Sequence, residues 1–121
     1  MLTEDVVVYR VRDHLLADGW EIVSLAMPDQ QGTDVVATRD GLRLEVEAKG
    51  AGSSKPGTAR YGKEFNQAQV TEKVGAAVLK ALAVVSAGRA QAAIAFPDLP
   101  LYRRLTRPVQ RALRQLAILG R

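Results

Sequence analysis

In this chain of 121 residues, Asp34, Glu47 and Lys49 are the side chains whose types and spacing suit chemistry. They lie in the stretch TDVVATRDGLRLEVEAK, two β-prone runs joined by Asp40-Gly41, and that dipeptide is the strongest short-range signal for a two-residue hairpin turn. Such a turn makes Arg39 face Leu42, Thr38 face Arg43, Val36 face Glu45 and Asp34 face Glu47. Directly opposed residues share one face with Cβ atoms about 4.5 to 5.5 Å apart, where like charges repel. Lys49 follows on the same face, roughly 7 Å along the strand from Glu47. One side of the hairpin thus carries Asp34, Glu45, Glu47 and Lys49, while Val35, Ala37, Leu44, Val46 and Ala48 form the core-facing side. Two close carboxylates beside an ammonium group offer hard oxygen ligands for Mg²⁺. They also offer a positive charge that can lower the pKa of a bound water or stabilise a pentavalent phosphate, a set suited to phosphodiester hydrolysis. The competing reading is a solvated face that alternates only because its other side is buried. A three-residue turn would place Asp34 and Glu47 on opposite faces and remove the pairing.

The elements that must position these residues follow from periodicity. From Thr3 to Asp18 the residues Val7, Val8, Val11, Leu15 and Leu16 recur at helical spacing; Thr3 is placed to cap the first turn, Glu4 and Asp5 sit at the positive end, and Gly19 follows. Trp20 to Ala26 is a short β-rich run and TDVVAT a second, followed by a third strand from about Leu42 to Lys49. GAGSSKPGTARYG breaks every period and is a loop. A second helix is expected from about Phe65 to Ala87, its apolar face made of Val70, Val74, Ala77, Val78, Ala81, Leu82 and Val85, with Gly88 as its end cap. AQAAIAF is a fourth strand closed by Pro97, and a last helical stretch runs from about Leu101 to Leu119 with a break near Thr106 and Pro108. The expected fold is one α/β domain over residues 1–121 in the order αβββαβα, with a mixed four-stranded sheet and a C-terminal helix. Trp20 is expected to anchor the core beneath the first helix, and His14 to lie at the surface.

Composition narrows the chemistry further. With no Cys and a single His, thiolate zinc sites, Cys nucleophiles and His clusters are excluded, which leaves carboxylates as metal ligands. Residues 1–48 hold ten acids against four bases, whereas residues 49–121 hold three acids against thirteen bases. One part gathers carboxylates while the other is suited to face an anion, of which nucleic acid is the commonest large one. The start of the sequence lacks the pattern of a signal peptide, and its most apolar stretch, Gly75 to Gly88, contains Lys80 and falls short of the ~20 residues of a membrane span. A cytoplasmic protein with no membrane association is expected.

GTDVVATRDGLRLEVEAK resembles the active-site hairpin of the PD-(D/E)xK nuclease superfamily, whose members carry an Asp on one strand and Glu-x-Lys on the next. The element order also resembles the core of that restriction-endonuclease-like fold, to which Holliday junction resolvase-like members belong. The resemblance implies that Asp34, Glu47 and the Ala48 carbonyl bind Mg²⁺ or Mn²⁺ and that Lys49 orients or activates the attacking water. Relatives place a Glu of the first helix near the metal, a position open to Glu4, which otherwise stabilises its helix start. They also place a Gln on the helix after the Glu-x-Lys strand, where either Gln67 or Gln69 matches. At Ala76 and Ala77 this helix lacks the polar group that some relatives carry deeper in it, and Thr33 stands where the motif has Pro. An endodeoxyribonuclease is expected, acting as a homodimer or with a protein partner that supplies specificity. The alternative is a non-catalytic nucleic-acid-binding or accessory subunit of a DNA-processing complex.

Basic residues of the later half are candidates for the DNA backbone. Arg104, Arg107, Arg111 and Arg114 form one stripe if their helix is continuous. Lys55, Arg60 and Lys63, with Tyr61 among them, follow the Glu-x-Lys strand closely. Gly52 and Gly57 have P-loop spacing, but Thr58 stands where the phosphate-binding Lys belongs, which excludes a Walker A site.

Overall fold

The computed structural model describes residues 2–26, 32–52, 64–116 and 118–120. Helix α1 (Glu4–Ala17) starts after Thr3, which adopts the extended N-cap conformation, although its hydroxyl donates to the Asp5 carboxylate instead of capping the helix. Val7, Val8, Val11 and Leu15 are buried along one stripe. Leu16, grouped with them by spacing, is 52% exposed, because each residue turns about 100° around the helix axis and Leu15 already occupies the inward direction.

Gly19, at φ +85°, turns the chain into strand β1 (Glu21–Leu25), which pairs antiparallel with β2 (Val35–Arg39). Strand β3 (Leu42–Ala48) returns antiparallel to β2 through Asp40 (φ 51°) and Gly41 (φ 78°). Positive φ at both central residues is the requirement of the type I′ turn that Asp-Gly favours. The observed pairs, from Arg39 with Leu42 to Val35 with Val46, follow the two-residue register.

Helix α2 (Gln67–Ala87) opens with a capping box: Asn66 accepts from the Gln69 N–H, and Gln69 accepts from the Asn66 N–H. It closes on Gly88 in the left-handed conformation (φ 73°). Strand β4 (Gln91–Ala95) then pairs parallel to β3.

The C-terminal part departs from expectation. Helix α3 (Pro100–Thr106) gives way to a 3₁₀ turn at Arg107–Val109, then to helix α4 (Gln110–Gln115), and strand β5 (Ile118–Gly120) adds a parallel fifth strand to β4. Pro108 lacks an N–H and its ring crowds the preceding turn, which accounts for the break. The expected helix therefore stops short of Leu119; Ile118, only 1% exposed, sits opposite Ala92 in a sheet of order β1-β2-β3-β4-β5.

Helices cover both faces of this sheet. On one face α1 and Trp20 pack on Val35, Ala37, Leu44, Val46, Ala48, Ala93 and Ala95. On the other, Ala77 and Ala81 of α2 pack on Ala92, Ile94 and Ile118, and small side chains at these contacts let the helix approach closely. The second face is the one that carries Glu45 and Glu47; Glu47 is buried beside α2, while Glu45 is half-buried and Arg43 exposed toward the turn. Among the described residues, no helix is long and apolar enough to cross a membrane.

Candidate active site

Asp34 directly precedes β2, and Glu47 lies at the end of β3 in the position that the hairpin register sets opposite it. Both are buried, at 7% and 6% exposure, and they are the buried charged residues of the described chain. Ala48 donates its N–H to Asp34 Oδ2 at 2.8 Å, while the Lys49 N–H donates to the Ala95 carbonyl at 3.0 Å. Successive strand residues point their backbone groups to opposite sides, so the Ala48 carbonyl faces the Asp34 side together with its N–H.

Burial pushes the Asp34 carboxyl up to about 7 from 3.8. The charges of Glu47 and Glu4 and a hydrogen bond shared with Glu47 contribute to that rise, and the Ala48 N–H opposes it. Two adjoining carboxylates held out of water in this way form a set of hard oxygen donors.

Positive charge arrives from two elements. Lys49 Nζ stands 3.7 Å from Glu47 Oε1. Lys80 Nζ, carried by α2, stands 3.2 Å from the same oxygen. Lys80 lies outside the site residues that the sequence suggests, one helical turn beyond Ala76 and Ala77. The signal available was its interruption of the otherwise apolar stretch Gly75–Gly88. Lys80, Glu45 and Glu47, with Gly32 and Thr33, line a cleft of about 280 Å³ between the sheet and α2. Within it the Thr33 hydroxyl donates to Glu45 at 3.0 Å, and Arg43 pairs with Glu45 at 3.3 Å.

Glu4 joins this group. Burial raises its carboxyl above the usual range, Lys49 pulls it down, and Glu47, Lys73 and Lys80 act on it from nearby. The close approach depends on Gly50: a Cβ built there would lie 2.4 Å from the Glu4 backbone nitrogen, so only glycine lets the start of α1 rest on the end of β3. The seam is fastened by the Ala51 N–H donating to the Leu2 carbonyl at 2.6 Å and by the buried Tyr102 hydroxyl donating to the Gly50 carbonyl at 2.7 Å. Burial, with Glu4 nearby, pushes the Tyr102 phenol up to about 12, so it remains a donor.

The remaining sequence candidates fall elsewhere. Gln69 has its side-chain oxygen engaged in the capping box, and Gln67 is exposed on the first turn of α2. Arg104, Arg107, Arg111 and Arg114 are all exposed, but they are divided among α3, the 3₁₀ turn and α4, so the single continuous stripe expected of one helix does not form. Lys55, Arg60, Tyr61 and Lys63 lie outside the described residues; the segment containing them begins and ends beside the site, where Gly52 bridges Glu64 and the Phe65 N–H donates to the Ala51 carbonyl at 2.8 Å. Among the described residues, no three Asp, Glu, His or Cys side chains form a metal-binding group. Two carboxylates with a backbone carbonyl are nonetheless a common protein share of a Mg²⁺ shell, the rest being water and phosphate. No protein-family model, curated protein or solved structure matches the chain.

Proposed function

We propose that this protein is a divalent-metal-dependent endodeoxyribonuclease of restriction-endonuclease-like fold that hydrolyses DNA phosphodiester bonds. The observation that carries this reading is the buried pair Asp34 and Glu47, with the Asp34 carboxyl raised to about 7 and two ammonium groups beside Glu47. Structural ion pairs are seldom built from two abutting carboxylates in the interior, because each disfavours the other's charge. Asp34, Glu47 and the Ala48 carbonyl would hold Mg²⁺ or Mn²⁺, which when bound supplies positive charge to offset that developing on the phosphate under attack.

The chain's own groups do the rest. Lys49, its side chain only 13% exposed, projects from a rigid strand end, where it can orient the attacking water and stabilise negative charge. Glu4, at the start of α1, adds negative charge close enough for Lys49 and Glu4 to feel one another. The Ala48 N–H holds Asp34 in place through Oδ2. With few elements beyond the sheet and its helices, backbone and shape recognition fit better than base readout, and a second copy or a partner protein would supply paired cuts or specificity.

The test incubates the protein with single-stranded, duplex and four-way-junction DNA in Mg²⁺, Mn²⁺ or EDTA, beside Glu47→Gln and Lys49→Ala. Cleavage that requires metal and falls at least 100-fold in both variants is expected. Absence of cleavage on every substrate, with salt-sensitive DNA binding unchanged in both variants, would replace the enzyme by a nucleic-acid-binding accessory subunit.

A further inference from the structure

Glu47 Oε1 holds two ammonium groups of different character. Lys49 approaches at 3.7 Å with a side chain 13% exposed, projecting from the strand end. Lys80 approaches at 3.2 Å with a side chain 58% exposed, reaching from the lip of the cleft between α2 and the sheet. A divalent cation arriving at Asp34 and Glu47 meets both positive charges at close range, and such repulsion is strong where water is scarce. Lys49 has little room to withdraw. Lys80 has four rotatable side-chain bonds and open solvent beside it, so moving its charge costs little beyond the contact with Glu47.

We propose that Lys80 is an exchangeable counter-ion: its Nζ occupies Glu47 Oε1 in the metal-free protein and moves to a nucleic-acid phosphate when a divalent cation takes the carboxylate. The inference rests on the reading of Asp34 and Glu47 as a metal-holding pair, and it adds a regulatory consequence. Metal and polyanion each release Lys80 from competition with the other, so each raises the other's affinity by the same factor. The metal-free protein keeps a compensated site, and the site loads fully when a DNA backbone is present. Lys80 is then a positioning and exchange residue and not part of the reacting set. The same cleft places it within reach of a backbone lying along α2.

Titration calorimetry with Mg²⁺ on the wild type, Lys80→Gln, Lys80→Arg and Glu47→Gln tests the first half. Lys80→Gln should bind Mg²⁺ at least 3-fold more tightly without DNA, and Lys80→Arg should resemble the wild type. The second half compares duplex affinity in Mg²⁺ and in EDTA in the Lys49→Ala background, which prevents turnover. The strengthening of duplex binding by Mg²⁺ should shrink at least 3-fold when Lys80→Gln is added. A purely structural Lys80 would leave Mg²⁺ affinity unchanged or weaker in Lys80→Gln, and that result overturns the exchange. If neither the wild type nor Lys80→Gln binds Mg²⁺, or the wild type and Glu47→Gln bind it equally, the metal-pair reading itself fails and the exchange with it.

Discussion

At the scale of single residues, Asp34 links stability to function. Its carboxyl titrates near 3.8 when unfolded and about 7 when folded, first because it is buried. Between those values the folded state binds more protons than the unfolded state. Its contribution to stability is therefore full below about pH 4 and is lost as pH rises toward 7. Asp34→Asn removes the charge and keeps an oxygen to accept the Ala48 N–H. In EDTA at pH 7.5 this variant should melt on the order of 5 °C above the wild type, with the difference gone at pH 4. Mg²⁺ should raise the melting temperature of the wild type at pH 7.5 and leave that of Asp34→Asn unchanged, since only a ligand held by the folded state stabilises it. Melting curves at the two pH values, with and without Mg²⁺, check this; a variant that melts lower than the wild type under every condition would show that Asp34 serves packing alone.

At the scale of elements, two contacts set the site's dimensions. The first is Gly50 against the start of α1, where an added methyl group would meet backbone that cannot yield. Gly50→Ala should cost roughly 1 to 3 kcal/mol, as overpacking does, and displace Glu4 from Lys49. Glu4→Gln keeps the packing and changes only the charge. If Glu4 steadies Lys49, both variants should lose cleavage activity while only Gly50→Ala loses stability, a split that denaturant melts beside activity assays will resolve. The second contact is Ala77 and Ala81 of α2 on Ala92 and Ile94 of β4. Ala81→Leu should lift α2 from the sheet and separate Lys80 from Glu47, so that it binds Mg²⁺ more tightly, as Lys80→Gln does, while melting lower.

At the scale of the whole molecule, charge is segregated along the chain: the first 48 residues carry most of the acids and the remainder most of the bases. In the fold Asp34 and Glu47 are buried, and Arg104, Arg107, Arg111 and Arg114 remain exposed. Duplex affinity should therefore fall steeply with salt. Substituting Arg111 and Arg114 by Ala should reduce the log–log slope by about 0.9 for each side chain that neutralises a phosphate. Their exposure predicts little change in melting temperature. A slope that does not change would exclude α4 from the DNA footprint.

The parts of this protein legible in its sequence are those governed by local chemistry. Asp40-Gly41 selects a turn that only residues tolerant of positive φ adopt readily, and with a two-residue turn the pairing of every later residue follows, Asp34 with Glu47 included. Gly88 stops α2 for the same reason, and strand alternation separates Glu47 and Lys49 from Val46 and Ala48. The capping role of Gln69 is also legible, as the third residue after Asn66, whereas the family resemblance offers it, with Gln67, as a site residue. Tertiary structure alone decided what lies above the carboxylates. Lys80 stands 33 residues from Glu47, and its 3.2 Å contact exists because alanines let α2 settle on the sheet. The start of α1, with Glu4, comes close to the end of β3 because Gly50 leaves room for another element's backbone. Strand β5 forms where a helical continuation is expected because the open edge of β4 supplies hydrogen-bond partners and burial for Ile118. Local preference determined the pairing of the two carboxylates; packing between distant elements determined their burial, their charge partners and the raised affinity of Asp34 for its proton.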